Sequence, residues 1–274
     1  MAALNRAFGA LLESLLLPLD RLAPVAGLAA VSVLVAIGML LVFKATSDQT
    51  RIIAIKRLMQ AGLFEMRLFS DDPRTIVQAQ GDVLRATLTY LRLSAVPLLW
   101  MTLPLVLVTA HLQSHYGYQG LNAGGSALVK VQMRPGSEDQ SRSLALELPS
   151  GLRSETPMVW IPALREAAWR IAADRDGDYV LNVALHGARF TKTVLVSSHV
   201  GRRSPMRLQA GIVNQLSYPT EPPLPVDVPI SSIAVTYAEG YVPVAGWDIH
   251  WLITFLIVSL VAALLLRRLF HVTF

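Results

Sequence analysis

Residues 27–43 read GLAAVSVLVAIGMLLVF, without a Lys, Arg, Asp or Glu among them. A helix that crosses about 30 Å of hydrocarbon needs ~20 apolar residues in a row, and this stretch approaches that length. Two further runs have the same character, at 93–112 and at 251–266. Together they predict a membrane protein with three spanning helices. Whole-chain composition agrees: 53% of residues are apolar and the mean hydropathy is +0.46, above the range of ordinary soluble domains.

Working outward, the 274-residue chain divides by polarity. Residues 113–247 are polar, rich in turn formers and numerous enough to bury a core of their own. The expected class is an α+β membrane protein. Its parts are an interfacial amphipathic helix at 1–24, a first span at 25–45, a cytoplasmic helical hairpin at 46–92 and a second span at 93–112. A periplasmic β-sandwich domain follows at 113–247, then a third span at 248–268 and a cytoplasmic tail at 269–274.

Charge placement sets the orientation. Lys44 closes the first run, Arg51, Lys56, Arg57, Arg67, Arg74, Arg85 and Arg92 follow it, and Arg267 and Arg268 close the third. Residues 113–129 and 208–250 carry no Lys or Arg. The positive-inside rule therefore puts the hairpin and the C-terminus in the cytoplasm, and the N-terminus and the β region outside, in a bacterial inner membrane. Tyr116, Tyr118, Trp247 and Trp251 are placed to form an aromatic belt at the outer interface. The same rule accounts for the net charge of +5 without nucleic acid. The expected partners are membrane lipids and other integral-membrane subunits.

Before the first span, Leu4, Phe8, Leu11, Leu12, Leu15 and Leu19 recur at helical spacing, as in an amphipathic helix lying in a membrane interface. A helix that covers the outer domain is the alternative. Between spans one and two, a helix from about 49 to 69 and a second opened by Ser70-Asp71-Asp72-Pro73 would pair antiparallel. Ile55, Leu58, Met59, Leu63 and Met66 would face Ile76, Val83 and Tyr90, with Val77, Leu84, Leu88 and Leu91 alongside. Leu68 and Phe69 at the tip, and Pro97, Trp100 and Pro104 in span two, are the candidate partner contacts, because exposed apolar residues and proline-kinked helices call for cover.

In the outer region, strands are expected at 127–133, 144–148, 158–161, 168–172, 179–185, 190–196 and 232–237. Arg134-Pro135-Gly136, Pro149-Ser150-Gly151, Asp176-Gly177 and His186-Gly187 would be the turns between them. Short strands at this density fit an immunoglobulin-like sandwich. Residues 218–229, rich in proline, would lie along it as an extended strap.

Motif chemistry is sparse. The absence of cysteine removes disulfides and thiolate chemistry. Phosphate-binding, zinc-protease and nucleophile-elbow patterns are missing, and no cofactor is expected. His111 and His115, four apart, and His250 are weak metal candidates at the outer ends of two spans, without a dedicated ligand spacing.

The order of parts resembles the Oxa1/YidC-like superfamily of membrane-protein biogenesis factors: outside N-terminus, span, cytoplasmic helical hairpin, span, outer segment, span. The likeness is topological and covers about residues 1–112 and 248–274. It implies a factor whose hairpin receives client helices. These spans lack the basic intramembrane residue of the insertases, and the β region is an addition to that core. The reading favoured by the residues themselves is a non-catalytic scaffold or accessory subunit of a larger inner-membrane complex, respiratory or photosynthetic in kind. A periplasmic ligand-binding sensor is a further alternative.

Overall fold

A computed structural model describes residues 2–20, 23–68, 73–270 and 272. The fold is mixed, with 51% helix and 25% strand. Contacts divide the chain into two compact units, Met1–Leu28 with Leu107–Thr254, and Ala29–Val106 with Phe255–Phe274.

Apolar composition yields long helices where the sequence predicts them. Helix α1 spans Ala2–Asp20, α2 Pro24–Thr46, α3 Gln49–Leu68 and α4 Pro73–Tyr116. Of these, α2 and α4 are long and apolar enough to cross a membrane. Proline opens both, a position where its missing N–H costs nothing. The third expected span is shorter than its sequence suggests. Positions 248–250 of the expected span 248–268 belong instead to a strand, Trp247–His250, and α6 coincides with the apolar run, Trp251–Leu266, 16 residues, below the ~20 of a full crossing.

The first unit holds the β structure. One sheet has the order β3(Leu152–Ser154)-β5(Glu166–Ala173)-β1(Ser126–Met133)-β9(Ile230–Val235)-β8(Met206–Leu208), with β4(Val159–Ile161) also on β5. A second has the order β2(Ala145–Glu147)-β6(Gly177–Leu185)-β7(Ala188–Val196). All neighbours in both are antiparallel. Period-two alternation does the sorting: in β7, Phe190, Lys192, Val194 and Val196 are buried while Arg189, Thr191 and Thr193 are exposed. Inward residues of the two sheets, among them Val129, Val131, Ile171, Leu181, Val183 and Val194, join one hydrophobic cluster. The β6–β7 turn has His186 and Gly187 at φ 49° and 83°, the two left-handed positions of a tight hairpin turn.

Each of the seven expected strands is present, at slightly different limits. Strands β3 and β8, the short helix α5(Ile212–Ser217) and the hairpin β10(Tyr241–Val244)–β11(Trp247–His250) were not foreseen. They are three or four residues long, or a single helical turn or two, and too short for a periodicity to register.

Helix α1 differs in detail. Among its described side chains, Asn5, Gly9, Leu12 and Leu16 are the buried positions, while Leu11 is 64% exposed. The reason is a partner within the unit. The Arg202 guanidinium lies where a Cβ on Gly9 would touch it at 3.1 Å, and Asn5 Nδ2 donates to the Gln215 carbonyl at 2.7 Å. The helix thus covers part of the β-bearing unit. The aromatic belt also changes: Tyr116 and Trp251 are buried in protein, leaving Trp247, 77% exposed, and half-buried Tyr118.

In the second unit α3 and the start of α4 form the expected pair. Gly62 on α3 abuts Val83 on α4, with 2.6 Å between an added Cβ and Val83 Cγ2, and Lys56 Nζ sits 5.5 Å from the Tyr90 ring centre. The seam uses Ile52, Ile55, Met59, Gly62 and Met66 against Ile76, Ala79, Val83, Ala86 and Tyr90, all buried or half-buried. Leu58, Leu63, Val77, Leu84, Leu88 and Leu91, expected in or beside it, are 56% to 66% exposed. Small residues at Gly62 and Ala79 draw the helices close, which narrows the seam and leaves flanking leucines outside. The capping residues expected at 70–72 lie outside the described residues.

Candidate functional site

The three histidines do not converge. His111 is buried, its Nδ1 2.9 Å from the Leu107 carbonyl and its Nε2 3.2 Å from the Asn5 carbonyl, and its ring meets Phe8 edge-on at 5.0 Å. His115 Nε2 lies 2.6 Å from Asp20 Oδ2, and the Tyr116 hydroxyl donates to Asp20 Oδ1 at 2.7 Å. His250 lies between Tyr241 and Trp251, edge-on to the first at 6.1 Å and tilted to the second at 6.0 Å, and its Nδ1 accepts the Leu252 N–H at 3.2 Å. Among the described residues no group of three or more metal-ligating side chains is formed. The first two histidines tie helix α1 to α4 within the first unit, and Gly27 has no Cβ because Asp20 and Tyr116 fill its place.

The partner-contact candidates fall in the second unit. Leu68 is 75% and Trp100 66% exposed, whereas Pro97 is buried and Pro104 half-buried. Phe69 lies outside the described residues. Prolines at 97 and 104 remove the N–H groups that would reach the Leu93 and Trp100 carbonyls one turn earlier, while α4 stays continuous through both.

Sequence reading missed a buried polar network in the first unit. Lys192, at the centre of edge strand β7, has a fully buried side chain. Its ammonium donates to Glu221 Oε2 at 2.6 Å, to the Ser204 carbonyl at 2.5 Å and to the Thr193 carbonyl at 3.2 Å. Glu221 accepts four bonds in all, the others from Ser204 Oγ, Thr193 N and Thr193 Oγ1. Burial alone pushes the Glu221 carboxyl up; the Lys192 ammonium and the hydroxyl donors outweigh it and hold it below the ordinary value. Ser, Lys and Glu together have the composition of a hydrolytic centre but not its geometry. Lys192 meets the carbonyl of Ser204 and the Ser204 hydroxyl is spent on the carboxylate. The network is a tie between the strap and the sheet edge.

Residues 218–229 are not continuously extended as expected: turns at 219–220 and 226–227 break the segment, and Leu224 bridges Gln209 between them. Prolines offer carbonyls and no N–H groups, so side-chain donors join the backbone N–H groups of Arg134 and Ala210, which reach the Pro229 and Leu224 carbonyls. Arg202 donates to the Pro219 carbonyl, Arg207 Nε to Pro222, Arg134 to Val226 and Gln209 to Val228. Arg207 also donates to the Thr191 carbonyl on the open edge of β7. With Glu221 on the Thr193 N–H, these bonds close an edge that would otherwise invite another strand. Nearby, Arg203 is 1% exposed and donates to the carbonyls of Tyr118, Ser197, His199 and Gly201. It stitches two loops together and borders a 220 Å³ polar cleft with His115, Tyr118, Asn122 and His199. A lysine at an inward position of an alternating strand was the legible signal for this network.

No known protein family matches the chain, and no curated protein or solved structure does either. The α3–α4 arm carries exposed apolar residues on both sides of its seam, among them Leu58, Leu63, Leu84 and Leu88.

Proposed function

We propose that this chain is a non-catalytic scaffold or accessory subunit of a larger integral-membrane assembly in a bacterial inner membrane, of respiratory or photosynthetic kind. In this reading α6 is a third span and the two sheets form an immunoglobulin-like sandwich on the outer side. The α3–α4 arm and the C-terminus then lie in the cytoplasm, as the basic residues at 44–92 and 267–268 favour.

The observation that carries the reading is the bareness of α4. Its apolar span is 11% buried, against 33% for α2. A helix so apolar and so uncovered needs lipid or other protein around most of its circumference. In the β-bearing unit, by contrast, Lys192, Glu221, Arg203 and Arg207 are spent on internal ties. Purification in a mild detergent tests the proposal. The chain should leave the membrane in fixed stoichiometry with other membrane proteins. Recovery as a lone monodisperse chain overturns it.

An Oxa1/YidC-like biogenesis role is the second reading, favoured by the antiparallel α3–α4 pair placed between two apolar helices. It requires the arm to crosslink to ribosomes or to many nascent chains.

A further inference from the structure

Helix α4 carries two apolar stripes, and only one has a partner. The first, Ile76, Val83 and Tyr90 with Ala79 and Ala86, makes the seam with α3 and is buried or half-buried. The second is offset by one residue. Val77, Leu84, Leu88, Leu91 and Leu98 are 66, 61, 59, 56 and 64% exposed, and Ala95 is exposed with them. Their spacing of seven, four, three, four and three is a heptad register, with Gly81 filling the one skipped position.

We infer that this second stripe is the seat of one helix from another integral-membrane protein, an inference that rests on the subunit reading. Three features select that occupant. The first is length. Helix α4 has 44 residues, about 66 Å of rise, and hydrocarbon accounts for about 30 Å. The stripe therefore runs from the part of α4 that projects beyond the bilayer into the part that crosses it, and its occupant must make the same passage. The second is shape. Around residues 77–92 the helix also bears Gln78, Gln80, Asp82, Arg85, Thr89 and Arg92, so lipid suits only the narrow stripe and not its flanks. Heptad spacing is the demand of a facing helix, whereas acyl chains impose no period. The third is charge. Arg85 and Arg92, seven apart and exposed, line one flank. Arg85 already lies 3.5 Å from Asp82 one turn earlier, which leaves Arg92 as the cation for a helix with a carboxylate at the matching position.

A photocrosslinking amino acid at Leu84 or Leu88, in the otherwise unaltered full chain in its own membrane, should give one product of fixed mass. The attachment should map to a membrane-crossing helix of another protein, and the same probe at Leu58 on α3 should not yield it. Leu84→Asp with Leu88→Asp should lower recovery of that partner at least about tenfold. Arg92→Glu should also lower it. Crosslinks to a second copy, to lipid alone or to a ladder of unrelated chains overturn the inference. Undiminished recovery with the Leu84→Asp, Leu88→Asp chain does so as well, while leaving the subunit reading standing. A wild-type chain that emerges without partners ends both.

Discussion

The β-bearing unit and the α3–α4 arm handle burial in opposite ways. In the first, two sheets contribute to one cluster, a fully buried lysine has its counter-ion, and the proline-rich strap has a side-chain donor for several of its carbonyls. In the arm, a narrow seam closed on Gly62 and Ala79 leaves a second heptad stripe bare. The difference teaches that residual exposure, more than apolar content, marks where a chain expects company. Apolar residues abound in both places, but only the arm displays them in register.

The tie between strap and sheet should break the comparison most severely. Glu221→Ala leaves the Lys192 ammonium buried without a counter-charge, a loss of about 3–5 kcal/mol, to be measured by denaturant unfolding of the detergent-solubilised chain through tryptophan fluorescence. Deleting core volume should come next. Leu181, fully buried in the shared cluster, should cost about 2–5 kcal/mol as Leu181→Ala, with no change in crosslinking along α4.

In the arm, Gly62→Val drives a side chain into Val83 and should cost about 1–3 kcal/mol. Limited proteolysis between α3 and α4 reports the loosening. Gly81→Ala meets nothing within 4 Å and should leave the arm intact or slightly firmer.

Acid should sharpen the contrast. The folded-state pKa of Glu221 lies below its ordinary 4.5. Its contribution to stability is therefore complete above that ordinary value and is lost as the pH falls through the depressed one. The strap should loosen on acidification below pH 4.5, and Glu221→Gln should abolish that pH dependence, read by hydrogen exchange at residues 218–229. The smallest effect belongs to the bare stripe. Leu84→Gln should change the stability of the isolated chain by less than ~0.5 kcal/mol, although the same position is central to partner recovery.

Legibility followed physical range. The apolar runs at 27–43 and 93–112 and the alternating strands at 126–133, 177–185 and 188–196 were readable because each repeats its signal over several turns or pleats. Strands of three residues, such as Met206–Leu208, gave no period to detect. The α3–α4 pairing was readable, but its rotation was not. With apolar residues on several sides of both helices, the face that turns inward depends on the closest backbone approach, and Gly62 decides that. The histidines looked alike as interfacial polar residues, and only the positions of Asp20, Asn5 and Tyr241 separate their roles.

By itself the sequence determined where apolar helices form, where β structure replaces them and which segments carry positive charge, because these depend on local composition and period. Tertiary structure alone decided that Lys192 meets Glu221 across 29 positions, that Trp247–His250, just ahead of the third apolar run, pairs in a hairpin, and that one stripe of α4 is covered while its neighbour is bare. Those outcomes depend on which distant groups arrive at the same place, and no local pattern carries that information.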